Sequence, residues 1–416
     1  MLDINLIRQK PEKVKEGIKK KNYAPSLVDE FLAIDEEWRK LTEETDGLRF
    51  QQKKLSEGRK IEEAKLLKGK IQSYEVQLRK IELGRKEILN KFPNLPLEDV
   101  PVGKDDSENV VLKTIGDLPK WDFQPKNYIE LGKNLGIIDT ETASETSGSR
   151  FGYIKGGAAM LEFALVKLAM ETAMKKGFVP VVPPVMIKSE MMKAMGYVDR
   201  REDQDETYFL EKDDLYLVGT SEQSIGPMHS GEVFNEKDLP KRYVGFSTCF
   251  RREAGSYGKD TKGILRVHQF DKIEMFSFCN PENSKQEHEL ILSIEEELMR
   301  ALKLPYHVLR ICAGDLGFPA AAKYDIETWV PGENKYRETH STSNCADFQA
   351  RRLNIRYKPL KPKTSNLKPE YIHTLNGTAF AIGRTLIAII ENYQQKDGSI
   401  LVPEVLRGYV GAEKIG

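Results

Sequence analysis

Between residues 27 and 92, apolar or small side chains recur at steps that alternate four and three. The first run is Leu27, Phe31, Ile34, Trp38, Leu41, Thr45, Leu48, Gln52 and Leu55; the second is Leu67, Ile71, Tyr74, Leu78, Ile81, Ile88 and Phe92, with Arg85 as a polar intruder. This is a heptad seam, which belongs to helices that coil around a partner. Ser56-Glu57-Gly58 interrupts it, and Gly58 can end a helix. Two seams of similar length joined by so tight a turn cover each other only by folding back antiparallel. The spacing therefore predicts a two-helix arm over 27–92, each helix about 45 Å long, projecting from a globular body. Residues 27–48 hold two basic and eight acidic side chains, whereas 49–91 hold 13 basic and six acidic. The turn end and the returning helix are thus basic: either a solvated coiled-coil face or a surface that tracks phosphates.

The rest of the 416 residues provides ample material for one or two further domains. Lys+Arg and Asp+Glu are both 64, which argues against coating a polyanion with the whole surface and leaves room for a local basic patch. Cys249, Cys279, Cys312 and Cys345 form no C-x-x-C pair, so neither a disulfide scaffold nor a cysteine-clamped zinc is expected, and a reducing compartment fits. No apolar run is long enough to cross a bilayer, and Met1-Leu2-Asp3-Ile4-Asn5 does not open a signal peptide. A cytoplasmic protein without membrane attachment is expected.

Residues 1–26 read as a short capping helix, and 1–100 as an N-terminal domain that carries the arm. Pro93-Asn94-Leu95-Pro96 and Pro101-Val102-Gly103 break all periodicity, and 101–126 read as a linker. Residues 127–416 alternate patterns. Helices are expected at 157–176, 282–303 and 383–393. A short β-rich run at 178–185 is broken by Pro183-Pro184, and strands are expected at 207–218, 242–250, 264–278, 306–312, 324–330 and 335–341. Many of these runs are separated by short turns, which favours antiparallel pairing. The class is α+β: a mainly antiparallel sheet flanked by helices, preceded by an antiparallel coiled coil.

There is no Walker-type phosphate loop, no Rossmann glycine fingerprint, no histidine pair at metal spacing and no nucleophile elbow. Any nucleotide chemistry must use arginine and carboxylate side chains. Three segments could supply them. Phe250-Arg251-Arg252-Glu253 sits between two β-rich runs separated by a glycine-rich stretch, Gly255 to Gly263. It is either an ion-paired surface hairpin or a place where an arginine fork meets a triphosphate and a glutamate accepts from an adenine amino group. Arg337-Glu338-Thr339-His340-Ser341 ends a strand; it is either an ordinary edge strand or a carboxylate and hydroxyl set that holds Mg²⁺ on substrate phosphates. Gly377-Thr378-Ala379-Phe380-Ala381-Ile382-Gly383-Arg384 leads into a helix whose first turn would carry Arg384. A cation there opposes the helix dipole and wants an anionic or π-rich partner, unless it is incidental.

Taken in order, these segments resemble the bacterial-type seryl-tRNA synthetases, which are class II aminoacyl-tRNA synthetases. The resemblance covers nearly the whole chain. It runs from Met1-Leu2-Asp3-Ile4 through the arm and Phe92-Pro93-Asn94-Leu95-Pro96, then Ser147-Gly148-Ser149-Arg150-Phe151, Gly177-Phe178-Val179-Pro180 and Gly219-Thr220-Ser221-Glu222. It continues through Phe250-Arg251-Arg252-Glu253-Ala254-Gly255 and Asp347-Phe348-Gln349-Ala350-Arg351-Arg352 to Leu375-Asn376-Gly377 and Gly383-Arg384. It implies a six- or seven-stranded antiparallel sheet that cradles ATP, a homodimer with Gly177–Pro184 at its interface, and an arm that presents tRNA(Ser), and by the same resemblance the tRNA for selenocysteine, to the partner's site. Catalytic roles fall on Arg251 and Arg384. ATP would be held by Arg251, Arg252, Glu253, Val267, Phe270, Glu338, Thr339, His340, Ser341 and Arg384, with Mg²⁺ on Glu338 and Ser341. L-serine would be held by Thr220, Ser221, Glu222, Arg251, Glu274, Asn376 and Thr378.

Some positions depart from the family pattern: Thr339-His340 stands in place of an aliphatic residue and Ser, Thr378 in place of Ser, and Ala379-Phe380 in place of Gly-Leu. A synthetase-like ligase that loads a carrier protein is the alternative enzyme class; those relatives lack the arm, which here is intact and basic toward its tip. A coiled-coil scaffold on a dead fold would be expected to lose Arg251, Glu253, Glu274 or Arg384, and all four are present.

Overall fold

The computed structural model describes every residue except 199–203, 255–261 and 361–367, so the loop expected within the Phe250–Gly263 hairpin lies largely outside the described residues. The chain divides into two compact units, Met1–Leu95 and Pro96–Gly416. In the first, the Asp3 side chain accepts from the Asn5 N–H and opens α1 (Ile4–Gln9). Pro11 then begins a second helix, α2 (Pro11–Lys20), so the single capping helix expected over 1–26 is in fact two. The cause is local: proline suits the first helical position but disfavours helical backbone in the residue before it.

The arm follows as α3 (Ser26–Glu57) and α4 (Ile61–Asn90). The helices run antiparallel: Gln52 donates to the Ala64 carbonyl at 3.3 Å and Arg49 to Glu75 at 2.8 Å. Every seam position is buried or half-buried, and Phe31 meets Phe92 edge-on with ring centroids 5.9 Å apart. Arg85 is no accident. Asp35, whose side chain is fully buried, receives Arg8 at 2.7 and 2.8 Å and Arg85 at 2.7 Å. The Arg85 guanidinium also lies 4.5 Å from the Trp38 ring centre. The polar intruder is therefore answered by a buried carboxylate on the facing helix.

The second unit is built on an eight-stranded sheet. Its strands are β1 (Val110–Ile115), β2 (Val179–Val181), β3 (Lys241–Phe250), β4 (Gln269–Cys279), β5 (Tyr306–Arg310), β6 (Ala322–Val330), β7 (Lys335–Asn344) and β8 (His373–Ala381), in the order β1-β5-β6-β7-β8-β4-β3-β2. All neighbours are antiparallel except β2 and β3, which run parallel. Three expectations change here. The sheet has eight strands rather than six or seven, and residues 110–115, read as linker, form its edge strand against β5. The Pro, Gly and Asp residues that suggested a linker flank this strand rather than fill it. The 264–278 run also becomes strand only from Gln269.

Alternation along the central strands divides the sheet into two faces. Ile273 and Met275 of β4 and Leu375 and Ala379 of β8 join the main core, together with Ile291, Ile294 and Leu298 of α6 (Ser284–Ala301) and Leu161, Leu165 and Ala169 of α5 (Gly156–Lys175). Gly377 shows how close this packing is: a Cβ there would collide with Ile291. The opposite face of β4 packs Phe276 and Phe278 against Met195, Ile225, Ala350 and Leu353 toward one end of the strand and walls a cavity with β8 toward the other. A further helix, α7 (Ile382–Asn392), leaves the end of β8 directly and carries Arg384 in its first turn.

Candidate active site

The cavity has a volume of about 280 Å³ and lies against β4, β7 and β8, on the face of β4 opposite Ile273 and Met275. Strand alternation directs three side chains of β4 into it: Phe270, Lys272 and Glu274. The residue opposite Glu274 on β8 is Thr378, whose hydroxyl donates to both carboxylate oxygens at 3.3 and 3.4 Å. Asn376, two residues back on β8, lies on the same face, and its amide faces the Cys345 sulfur at 3.9 Å. From the turn before the short helix Glu222–Ile225 come Thr220 and Glu222, both buried. Glu222 accepts from Gln349 at 2.8 Å and from the Tyr197 hydroxyl at 3.1 Å. Burial, with the Glu274 charge adding to it, raises the Glu222 carboxyl to about 7 despite those donors. A buried acid in this state is ready to give up its proton once a cationic ligand arrives.

The other half of the cavity is rich in arginine. Arg251, just past the end of β3, donates to the Gly219 carbonyl at 3.2 and 3.3 Å and holds its guanidinium 5.3 Å from the Phe270 ring centre. Glu253, at φ +53°, accepts from Arg266 at 3.0 Å. Arg384 donates to the Glu338 carbonyl at 2.9 Å, and its Nη1 lies 3.5 Å from the Glu338 carboxylate. This is the anionic partner that a cation at a helix start requires.

Glu338 and Thr339 border the cavity together because β7 bulges against β6. Ile326 pairs with His340 and Glu327 with Glu338, leaving Thr339 as the extra residue. The bulge also explains why His340 does not line the cavity. It faces the other side of the sheet, 1% exposed, with its ring against Phe380 and its Nδ1 2.8 Å from the Thr339 hydroxyl. Burial pushes its imidazole down to about 3, so it is neutral. Two other expected residues also stay out of the cavity. Ser221 is fully buried, its hydroxyl donating to the Gly245 carbonyl at 3.5 Å. Arg252 is exposed; it donates to the Thr207 carbonyl at 2.9 Å and lies 4.8 Å from the Tyr208 ring centre. Consecutive residues of a strand or turn point to opposite sides, and the motif alone did not say which. The remaining expected residues — Thr220, Glu222, Arg251, Glu253, Val267, Phe270, Glu274, Glu338, Thr339, Ser341, Asn376, Thr378 and Arg384 — all line this one cavity.

Sequence reasoning missed Lys272, Lys323, Arg266, Tyr197 and Ser343 on the same wall. The signal for Lys272 and Ser343 was available, since each lies two residues from an expected site residue on the same strand.

The fit of a magnesium ion can be judged from the carboxylates. Burial alone would raise Glu338, but Arg384, Lys323, Arg251 and Lys272 outweigh it and hold it to about 2. Glu338 therefore stays ionised, and it faces Glu327 directly across the strands. Two facing acids of like sign, with Ser341 beside them, suit a hard cation that takes one or two protein oxygens and the rest from phosphates. Among the described residues no cluster of three or more His, Cys, Asp or Glu forms a closed metal cage.

An antiparallel sheet with an arginine-lined anion site beside a buried polar pocket has the make-up of a class II aminoacyl-tRNA synthetase core. The family model "tRNA synthetase class II core domain (G, H, P, S and T)" matches residues 208–393. The model "Seryl-tRNA synthetase N-terminal domain" matches residues 1–96. A serine–tRNA ligase of Rhodococcus jostii is 43% identical over 99% of this chain and 99% of its own length. Among solved structures, a seryl-tRNA synthetase of Pyrococcus horikoshii complexed with ATP is 40% identical, with a TM-score of 0.93 over 100% of this chain and 99% of that one. A cytoplasmic serine–tRNA ligase of Naegleria fowleri in complex with AMP is 34% identical, with a TM-score of 0.90 over 100% and 98% of the two chains. The chain belongs to the seryl-tRNA synthetase family.

Proposed function

We propose that this chain activates L-serine with ATP and transfers the seryl group to tRNA(Ser), the tRNA for selenocysteine being a further expected acceptor. The observation that carries the assignment of residues is the division of one cavity into two chemistries. Arg251, Phe270 and Arg384 make a cationic and aromatic half; Thr220, Glu222, Glu274, Asn376 and Thr378 make a buried polar half.

In this reading adenine stacks on Phe270, with its amino group toward Glu253 and the Arg384 guanidinium over its other face. Val267 adds a backbone contact, and Thr339 borders the nucleotide. Arg251 bridges the α-phosphate and the serine carboxylate. The serine ammonium replaces the proton on Glu222 and lies beside Thr220, while the side-chain hydroxyl donates to Glu274 near Asn376 and Thr378. Glu338 and Ser341 would hold Mg²⁺, which supplies charge neutralisation to the departing phosphates. The nucleophile is already an anion, so no general base is needed. A serine carboxylate oxygen attacks the α-phosphorus in line, the bond to the bridging oxygen breaks, and pyrophosphate leaves. The chain's own work is to orient the two anions and offset their repulsion with Arg251 and Arg384. The tRNA terminal ribose hydroxyl then attacks the acyl carbon, and AMP leaves.

The basic half of the arm suits a phosphate backbone. A homodimer is supported by apolar side chains left exposed close together in sequence, Met160 and Phe163 on α5 with Val179 and Val182 at and after β2. No helix among the described residues is long and apolar enough to cross a membrane, in keeping with work alongside tRNA in the cytoplasm. ATP–pyrophosphate exchange across the proteinogenic amino acids, followed by charging of total tRNA, tests the reading. Serine alone should support strong exchange and be found on tRNA; exchange with another amino acid, or serine activation without tRNA charging, would refute it.

A further inference from the structure

The four acids in the cavity have three kinds of partner. Glu253 is bound by Arg266 and Glu338 by Arg384, whereas Glu222 accepts from the neutral donors Tyr197 and Gln349. Glu274 is the deepest of the four, and it is met by Lys272 from its own strand: Nζ lies 3.1 Å from Oε2, with the side chains 11% and 3% exposed. The two carboxylate oxygens are not equivalent. Among the described residues, Oε2 takes the ammonium and Thr378 at 3.3 Å, and Oε1 takes Thr378 alone, at 3.4 Å. A lone pair on Oε1 is thus left for a ligand, on a carboxylate whose rotation is fixed from the other side.

We propose that Lys272 is a positioning residue for amino-acid selection: it holds Glu274 as an oriented anion whose free oxygen accepts the ligand's hydroxyl. The inference rests on the serine pocket proposed above and goes beyond it, since Lys272 touches neither serine nor nucleotide in this role. Chemistry gives the reason for such a residue. A buried carboxylate without a cation takes up a proton instead of remaining an unpaired anion, and a neutral carboxyl makes the weaker class of hydrogen bond to a hydroxyl. It also tolerates a methyl group better, because no desolvated charge is then left without a donor. With Lys272 in place, serine gains a charge-assisted bond, and alanine leaves the ionised Oε1 desolvated without the donor that serine supplies; without it, both effects shrink.

The test compares wild type with Lys272→Met, Lys272→Gln and Lys272→Arg in ATP–pyrophosphate exchange, using serine and alanine as competing substrates. Lys272→Met should lower the serine-over-alanine ratio of kcat/KM by at least about tenfold. The loss should appear in the KM for serine while the KM for ATP stays within about twofold. Lys272→Arg should recover most of the ratio. Lys272→Gln, which keeps a donor without the charge, should behave like Lys272→Met; it also gives the answer if the apolar variant fails to fold. An unchanged ratio in both neutral variants overturns the inference, as does a fall in kcat/KM equal for the two amino acids or a raised KM for ATP, which would place Lys272 on the phosphates. If wild type itself fails to activate serine, the proposed function has failed rather than the role of Lys272.

Discussion

Asp35 offers the sharpest test of how the arm is held. It is fully buried and paired with Arg8, Arg85 and, at 3.3 Å, the largely exposed Arg39, so Asp35→Ala removes one partner of a buried ion cluster and leaves the others in place. Breaking such a cluster from one side costs roughly 3–5 kcal/mol. Arg8 retains 29% of its side chain in water and can be resolvated, whereas Arg85 retains 14%; the lower end, about 3 kcal/mol, is therefore expected. That shifts the folding equilibrium of the N-terminal unit on the order of a hundredfold. Trp38 reports on it directly, since its ring lies under Arg85. In a Trp121→Phe, Trp329→Phe background its fluorescence follows the arm alone. The urea midpoint should fall by roughly 1–3 M. Replacing the cluster with apolar residues (Arg8→Met, Asp35→Leu and Arg85→Met together) should recover most of the loss, because no charge is then stranded.

The pH dependence has a definite sign. Burial alone would raise Asp35, but the Arg8 and Arg85 guanidiniums outweigh it and hold the carboxyl below the ordinary aspartate range. Its contribution is therefore complete above about pH 4 and is lost as acid protonates it. A midpoint shift worth less than about 1 kcal/mol in Asp35→Ala, or a triple variant no better than the single one, would refute the reasoning.

Glu274→Ala should abolish serine-dependent pyrophosphate exchange; exchange at the wild-type rate would mean the pocket is misplaced. Because the Glu222 carboxyl sits at about 7, the KM for serine should fall as pH rises from 6 to 8, with the KM for ATP flat across that range; a flat serine KM, measured in the same exchange assay, would separate Glu222 from the ammonium. Deleting residues 35–85 should leave seryl-adenylate formation intact and stop tRNA charging, and charging that survives the deletion refutes the arm's role. The affinity for tRNA should drop steeply with added salt, and a filter-binding titration that shows no such slope would argue against phosphate contacts by the basic arm.

The arm was legible because a heptad seam is a long, redundant signal, and a single exception such as Arg85 does not erase it. What the seam could not show was Asp35, which sits beside the Ile34 position and reads as one more charge in an acidic stretch. The sheet was legible where strands are rich in β-branched and aromatic residues. β8 escaped notice because Asn376, Gly377, Ala379 and Ala381 have little of that character; the strand is imposed by its neighbours β4 and β7 and by α6 beneath it. β1 escaped because its flanks look like a linker. In the candidate site, the motifs named the right stretches, and the backbone bulge at Thr339 decided which of their side chains turn inward. Lys272 went unremarked since a lysine on a strand is ordinarily a solvent-facing residue, and only the closed pocket around it reveals a partner.

Gly377 has a consequence for attempts to change what this pocket admits. With Ile291 pressed against the underside of β8, the floor cannot be lowered; any larger residue there would lift Asn376 and Thr378 toward the ligand. Room exists sideways instead. A neighbouring chamber of about 260 Å³, bounded by Gly196, Phe318, Pro319 and Cys345, shares Tyr197, Glu222, Lys323, Ser343 and Asn376 with the pocket wall. Redesign for longer amino acids should therefore trim that partition at residues other than Glu222 and Asn376 and leave the floor alone.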